Sequence, residues 1–586
     1  MKNKKFAKLL IAFFGIAGFY ACSKSFLQVT PQGVLDVRTL STEKGVNKIL
    51  LGAYAMLDGE DGGLNIGTGV WGAGASNFVF GSMAGGEANR GSTPGDQGPN
   101  MTNALRHESA PLSLSLSDDW KGYYEGIKRT NTVLQVLANV KEISDASKSN
   151  ITGQARFLRA WYHFQARIIF GRVPYINELT DDSLTNKSIL SVANDKEIWP
   201  DIIADAQYAY QNLPATQDSK GRINKWTAGA LLGKVLMFSK DYSTAKTVLD
   251  DVVANGTTSL GVKFALSANY DDNFNLDFEN SAETVLDFQA SSQDNAGARN
   301  ANWGDQLNMP ASGATGGAGF FTPTFWFTNQ FKTDASGLPV PFGSAENNVV
   351  MDPAGTSSAT GAAPGYTQYA GNVDVRLDWT VGRNGVPFLD WGTFLTTWRR
   401  DPTAGPFCGK KIMIRQSQVA TSHDASIWFV SGGNALNIHL LRFSDILLLD
   451  AEAAIEANDL ITPFMIVNMV RTRAGTSEKV VFPAIYGVPV TNAYVVPFAS
   501  QDEARTAVRL ERLLELGMEG HRFFDLVRWG IAATDLTNFY NYESAIPYQT
   551  NGDLTPKPTY TSANQDYYAI PQQQIDLSHG LITQNP

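Results

Sequence analysis

Between Ala507 and Gly530 the chain reads AVRLERLLELGMEGHRFFDLVRWG, a stretch holding the residue types from which acid–base chemistry is built. Glu511, Glu515 and Glu519 recur every four residues, and Arg522 follows Glu519 by three. Asp525 and Arg528 repeat that interval beyond Gly520, which bends or ends the first helix. Residues three and four apart share a helix face, so these charges form one stripe, while Leu513, Leu514, Leu516 and Met518 occupy much of the rest. An active site would need His521 held beside a nucleophile or a metal, and the sequence shows no such partner. Each charge instead has an opposite charge nearby, which favours a brace that locks helix ends together.

Other catalytic patterns are missing from the sequence. Its six histidines, at 107, 163, 423, 439, 521 and 579, include no H-x-x-x-H pair, and Cys22 and Cys408 lack zinc-ligand spacing. No G-x-S-x-G elbow, P-loop or EF-hand loop is present. NYDDNFNLDFEN is rich in oxygen ligands but reads better as a solvated polar loop. We therefore expect no catalytic residue, no metal site and no cofactor.

A second constellation points to binding. Flat aromatic rings cover the apolar C–H face of a sugar, and polar side chains take its hydroxyls. Trp71, Trp303, Phe320 and Trp391 lie in glycine-flanked, loop-like contexts. The polar candidates beside them are Asp58, Glu87, Asn89, Arg90, Asp96, Arg383 and Asp390. Arg383 and Asp390 share the segment VGRNGVPFLDWG, where they either meet a ligand or pair with each other to hold the loop. The FWF triplet at Phe325–Phe327 follows Pro323 and reads as packing.

These loops need a scaffold, and helical periodicity supplies one. Val46, Ile49, Leu50, Ala53, Tyr54 and Leu57 fall on one face of EKGVNKILLGAYAML. A helix follows Ser117 or Asp118, and another runs through ITGQARFLRAWYHFQARIIF to Gly171 and Pro174. NKWTAGALLGKVLMFSKDYSTAKTVLDDVV reads as a helical hairpin of the tetratricopeptide type, with Gly229 and Gly233 allowing close approach. From about residue 255 to 437 turn formers dominate, with brief strands such as AETVLDFQAS. Helices then resume in LLRFSDILLLDAEAAIEAND and TPFMIVNMVRTRAG.

The N-terminus is a targeting segment. MKNKK is basic, LLIAFFGIAGFY is apolar but too short to span a bilayer, and Ala21 precedes Cys22. With Phe19 three places before it, Cys22 fits the lipidated cysteine of a bacterial lipoprotein signal. Lipidation of Cys22 leaves Cys408 without a disulfide partner. Losing the four lysines of residues 1–21 takes the formal charge from −10 to −14, which argues against nucleic acid as a partner.

Taken in order, CSKSFLQVTPQG, ARFLRAWYHFQARIIFGRVPYI, LLRFSDILLLDAEA, MVRTRAG, ERLLELGMEGHRFFDLVRWG and YYAIPQQQIDLSHGLITQNP resemble the SusD/RagB family of nutrient-binding outer-membrane lipoproteins of Bacteroidetes. GFFTPTFWFTNQFKTDASGLP and DVRLDWTVGRNGVPFLDWG are similar to a narrower branch of it. In the loop GSMAGGEANRGSTPGDQG that branch tends to carry paired aspartates, and this chain has Gly86 and Glu87. The resemblance implies a mainly α-helical SusD-like fold, with tetratricopeptide-type pairs as scaffold and a loop-rich, minor-β ligand-binding half. It implies a signal peptide at 1–21 and a single unit at 22–586, with an N-terminal part to about 255 and a C-terminal part from about 256. It also implies a lipid-anchored, surface-exposed outer-membrane protein, not an enzyme, that captures oligo- or polysaccharide for a SusC-like TonB-dependent transporter. Trp398, with Arg399 and Arg400, faces either ligand or transporter. Peptide uptake and a helical scaffold without a small ligand are the alternatives.

Overall fold

The computed structural model describes residues 40–59, 74–93, 96, 98–180, 191–296, 300–302, 304–305, 307–312, 316–344, 369–401, 405–424, 433–546, 553–561 and 565–585. The first seven longer helices are α1 (Glu43–Tyr54), α2 (Gly98–Arg106), α3 (Leu114–Leu137), α4 (Asp145–Phe170), α5 (Trp199–Asn212), α6 (Lys225–Phe238) and α7 (Tyr242–Asn255). After a loop-rich stretch come α8 (Phe325–Asn329), α9 (Phe443–Glu456), α10 (Ile461–Thr476), α11 (Gln501–Leu516), α12 (Arg522–Arg528) and α13 (Ala532–Glu543). The protein is mainly α, as its sequence implied.

Helix starts follow cap chemistry. Thr42, Ser144, Asn224, Asp241 and Ser500 each accept a backbone N–H from the first turn of the helix they precede. Ser144 caps α4, which starts at Asp145, six residues ahead of Ile151. Helix α3 likewise starts ahead of the expected Ser117, because Ser113 takes the extended N-cap conformation. Gly171, at φ 70°, ends α4 as anticipated.

The helices pack in sequence: α3 on α4, α4 on α5, α5 on α6, α6 on α7, then α7 on α9 and α9 on α10 and α11. Small residues close the α6–α7 hairpin. A Cβ on Gly233 would meet the Leu249 side chain at 2.4 Å, and one on Gly229 would meet Tyr210 and Val252 at 2.8 Å. One apolar core runs from Val46 on α1 to Ile582 near the C-terminus, so both halves of the chain share it.

Strands are short and paired two by two among the described residues. Strand β1 (Ala88–Gly91) pairs antiparallel with β3 (Phe320–Pro323), placing Gly91 opposite Phe320. Strand β2 (Thr284–Phe288), the one expected in AETVLDFQAS, pairs with β7 (Ile438–Arg442) and sets Asp287 opposite His439. This pairing corrects the helix expected through LLRFSD: Leu440–Arg442 finish a strand, and the helix begins at Phe443. The remaining pairs join β4 (Asn372–Val373) to β8 (Val488–Pro489) and β5 (Val381–Gly382) to β6 (Cys408–Gly409).

The loop-rich half has its own apolar cluster of Met309, Phe388, Phe394, Trp398, Cys408 and Met413, with Leu389 and Trp391 packed against it. Burial pushes the Cys408 thiol up to about 12, so it behaves as a small apolar side chain. The hairpin 385–394 sits on this cluster, closed by Gly385 N–H to Phe394 O at 2.8 Å and Phe388 N–H to Gly392 O at 2.8 Å.

Candidate functional site

The charged stripe of α11 and α12 is interior. Arg442 on β7 donates to Glu283 at 2.8 Å, to Glu515 at 2.6 Å and to Glu519 at 2.8 Å. Arg376 joins Glu511 at 2.7 Å and Glu515 at 2.9 Å, and Arg473 also grips Glu283 and Glu515. Lys411 meets Glu519 at 2.6 Å, while Arg512 lies 2.8 Å from Asp445 and 2.9 Å from Asp525. All of these residues except Glu519 are buried, and the Glu519 side chain is only 8% exposed. Burial alone would raise the Glu519 carboxyl, but Arg442 and Lys411 hold it down at about 2.

The brace is therefore present, but its partners differ from those suggested by spacing. Asp525 and Arg528 do pair at 2.8 Å, as their interval implied. Glu519 turns to Arg442 and Lys411, and Arg522 turns to Asp535 at 2.6 Å. His521 lies 3.4 Å from the Lys234 ammonium, which also pairs with Asp445. Burial and the Lys234 charge push His521 down to about 4, so it is a neutral acceptor within the brace.

Several residues singled out for sugar contact are internal. Glu87 is buried and accepts the Met518 N–H at 3.0 Å, and burial pushes its carboxyl up to about 7. Asn89 reaches Glu543, whose carboxylate takes the N–H groups of Phe325 and Trp326 at the start of α8. Arg90 forms an ion pair with Asp553 at 3.1 Å. Phe320 is core. Arg383 is fully buried against Asp378 at 2.9 Å and donates to the Tyr486 carbonyl. It does not pair with Asp390, which accepts the N–H groups of Gln416 at 2.5 Å and Ser417 at 2.9 Å. Glu87, Asn89, Arg90, Phe320 and Arg383 are thus buried here and not on a ligand-facing surface, and the buried Asn89 Oδ1 has no hydrogen-bond partner among the described residues.

Others remain within reach of solvent. Asp96 is about one-third exposed and pairs with the still more exposed Arg400 at 3.3 Å. Burial acts to raise Asp96, but hydrogen bonds from Ser92 and Thr93 and the Arg400 charge hold it below the usual range. Asp390 is exposed and Trp391 half-buried, its indole N–H donating to the Ile414 carbonyl at 2.9 Å. Asp58 ends a 3-10 turn after α1 and is half-buried. Trp71, Trp303 and the lipidation candidate Cys22 lie outside the described residues. Gly74 and Gly304 meet: a Cβ on Gly304 would stand 2.5 Å from the Gly74 Cα.

Trp398 is buried in the second apolar cluster, and Arg399 donates to the Thr396 carbonyl, so of that trio Arg400 is the exposed member. FWF is buried as α8, which confirms packing. In the oxygen-rich segment Asp271 is bound by Arg415.

Sequence reasoning missed two adjoining clefts on the helical side. One, of about 300 Å³, is lined by Arg167, Trp199, Lys240, Arg528, Asp566 and Tyr567 among others. Its neighbour, of about 190 Å³, shares Lys240 and Arg528 and adds Tyr242, Arg505, Arg509 and Trp529. Their linings come from segments far apart in the chain, so no local motif signals them.

Residues 282–586 match the SusD family, and residues 93–237 match a second profile described as starch-binding, associating with the outer membrane. The chain belongs to the SusD family. A SusD-like protein of Formosa agariphila is 22% identical over 90% of this chain and 90% of its own length. One from Bacteroides ovatus is 22% identical over 97% and 93%. Among solved structures, a laminarin-binding SusD-like protein superposes with a TM-score of 0.64 at 21% identity, covering 93% of this chain and 99% of that one. Surface glycan-binding protein A from Bacteroides thetaiotaomicron, in complex with laminarihexaose, gives 0.64 at 18% identity, covering 93% and 99%. The relatives described by their ligand are binding proteins. No helix among the described residues is long and apolar enough to cross a membrane.

Proposed function

We propose that this SusD-family protein is a glycan-binding protein of the outer membrane that captures oligo- or polysaccharide and delivers it to a SusC-like TonB-dependent transporter. Kinship along nearly the whole chain with proteins that bind laminarin and laminarihexaose carries this reading. Residues 1–21 act as the signal peptide, Cys22 takes the lipid, and residues 22–586 work as one unit displayed at the cell surface.

The ligand face is the loop-rich half, held rigid by its own apolar cluster. Asp96, Arg400, Asp390 and Trp391 are its reachable polar and aromatic groups, Asp58 stands at the end of α1, and Trp71 and Trp303 are the remaining aromatic candidates. The mechanism is capture without chemistry. Rings cover the apolar face of a sugar, polar groups replace part of its hydration, and the exchange of water hydrogen bonds keeps affinity modest.

Calorimetry of the purified chain against a panel of neutral and charged polysaccharides tests this. Binding of at least one glycan is expected, and binding of peptides with no glycan overturns the reading. Co-purification of a TonB-dependent transporter with the tagged chain from native membranes tests delivery. Loss of membrane association in Cys22→Ala tests the anchor, and protease shaving of intact cells tests display.

A further inference from the structure

We infer that the cleft between α7, α9, α11 and the α12 end is a second ligand site, built for a saccharide unit bearing a negative charge. This deepens the glycan-binding reading and rests on it.

The argument sorts the charges that line the cleft. Arg505 is engaged by Glu456 at 2.9 Å and by Asp502. Arg528 is engaged by Glu452 at 2.6 Å and Asp525 at 2.8 Å, and Glu452 also accepts the Trp529 indole N–H. Both acids of the lining are thereby satisfied. Two cations are left over: Arg509 and Lys240 have no hydrogen bond or ion pair from their side chains to another described residue.

Arg509 is half-buried, its guanidinium 5.0 Å from the Trp529 ring centre. Burial works most against its charge; the Glu452 carboxylate, and more weakly that of Glu456, favours it, while the like charges of Arg528 and Arg505 oppose it. Lys240 is exposed on the turn between α6 and α7, where φ is 66°. In a chain of formal net charge −10, two unengaged cations in one cleft select for an anion.

The walls are aromatic as well as cationic. Tyr242 and Trp529 stand beside the cations, with Arg509 and Arg528 at 5.0 and 5.1 Å from the Trp529 ring centre, and the adjoining cleft adds Trp199 and Tyr567, each with Arg167 over its ring. The two spaces share Lys240 and Arg528, so an oligosaccharide extends from one into the other. The anion is the carboxylate of a uronate or a sulfate ester, which have in common an oxyanion on a ring carbon.

The test is calorimetry of the purified chain with three oligosaccharides of matched length: neutral, uronate-containing and sulfated. Binding of a charged oligosaccharide is expected, weakened by added salt and reduced about tenfold or more in Arg509→Gln and in Lys240→Gln. The arm that binds names the anion. Because Lys240 is exposed and unpaired, its variant keeps the fold and reads the site alone. Charged-sugar affinity unchanged in both variants overturns the proposal. Binding of the neutral oligosaccharide alone, or of none of the three, overturns it, while the glycan-binding reading stands or falls on the wider polysaccharide panel.

Discussion

A methyl group on Gly81 would stand 1.9 Å from the carbonyl oxygen of Gly520. Gly520 itself has φ 78°, and a Cβ there would lie 2.0 Å from the Ser76 carbonyl. The glycine between α11 and α12 is therefore also the point where the N-terminal loop 76–85 docks on the C-terminal half. Only a residue without a Cβ meets both demands.

Gly520→Ala should destabilise the protein by about 3 kcal/mol or more, or leave it insoluble, since backbone must move on both sides. Gly530→Ala is the comparison, because its φ of 69° carries strain while no atom lies within 4 Å of an added Cβ. Urea unfolding of the two variants should show the Gly520 change to be clearly the larger.

The brace should be sensitive to removal of either sign of charge. Arg442→Ala removes the cation common to Glu283, Glu515 and Glu519, leaving Arg473 and Lys411 to offset a buried cluster with one charge too few, and should cost about 3–5 kcal/mol. Arg505→Ala removes a more exposed pair and should cost less than about 1 kcal/mol. Chemical denaturation at neutral pH distinguishes them, and equal effects would contradict the brace.

His439 and Asp287 face each other across β2 and β7 at 2.6 Å. Burial opposes a charge on His439, yet the Asp287 carboxylate wins and raises it to about 9. A raised histidine contributes its stability in full below its unfolded value and loses it as pH climbs through 9. His439→Gln should cost on the order of 3 kcal/mol at pH 6 and far less near pH 10, read as the difference between wild-type and variant unfolding curves.

Glu87 is an acid but obeys the same sign, because its folded value is raised as well. Burial raises its carboxyl to about 7, so the fold holds a proton that the unfolded chain releases in the mildly acidic range. Stability should fall as pH rises through 7, by about 2 kcal/mol between pH 5 and pH 8. Glu87→Gln should flatten that slope in thermal melts taken across the same range.

Glycan capture should depend on the loop face and not on the brace. Trp303→Ala and the pair Asp96→Ala with Arg400→Ala should each weaken binding of the captured polysaccharide by about 1–2 kcal/mol with the fold intact. Affinity electrophoresis on the bound glycan, with circular dichroism as the folding control, checks both. Unaltered mobility in all of these variants would move the site elsewhere.

Much of the scaffold is legible along the chain. Cap residues such as Ser144 and Asn224, apolar residues at helical intervals and Gly171 act on their own neighbours, so the sequence alone determines those helices and where they stop. The small residues of the α6–α7 hairpin are legible for the same reason. Order of motifs was enough to place the chain in its family, since the whole set recurs only where the whole fold does.

Apart from the Asp525–Arg528 pair, which its spacing foretold, the charge partners in this stretch were decided by tertiary structure. Spacing pairs Glu519 with Arg522, but β7 delivers Arg442 and a loop delivers Lys411, and in a buried setting the tighter partners prevail. The same physics moved Glu87, Asn89, Arg90 and Arg383 from the expected binding face into the interior. A polar side chain in a glycine-rich loop reads as exposed until the element that covers it is known. For Arg383 that element is the Tyr486 loop, for Arg90 it is Asp553, and both lie more than 100 residues away. Sequence fixes what each residue can offer, while burial and long-range contacts decide whether protein or ligand receives it.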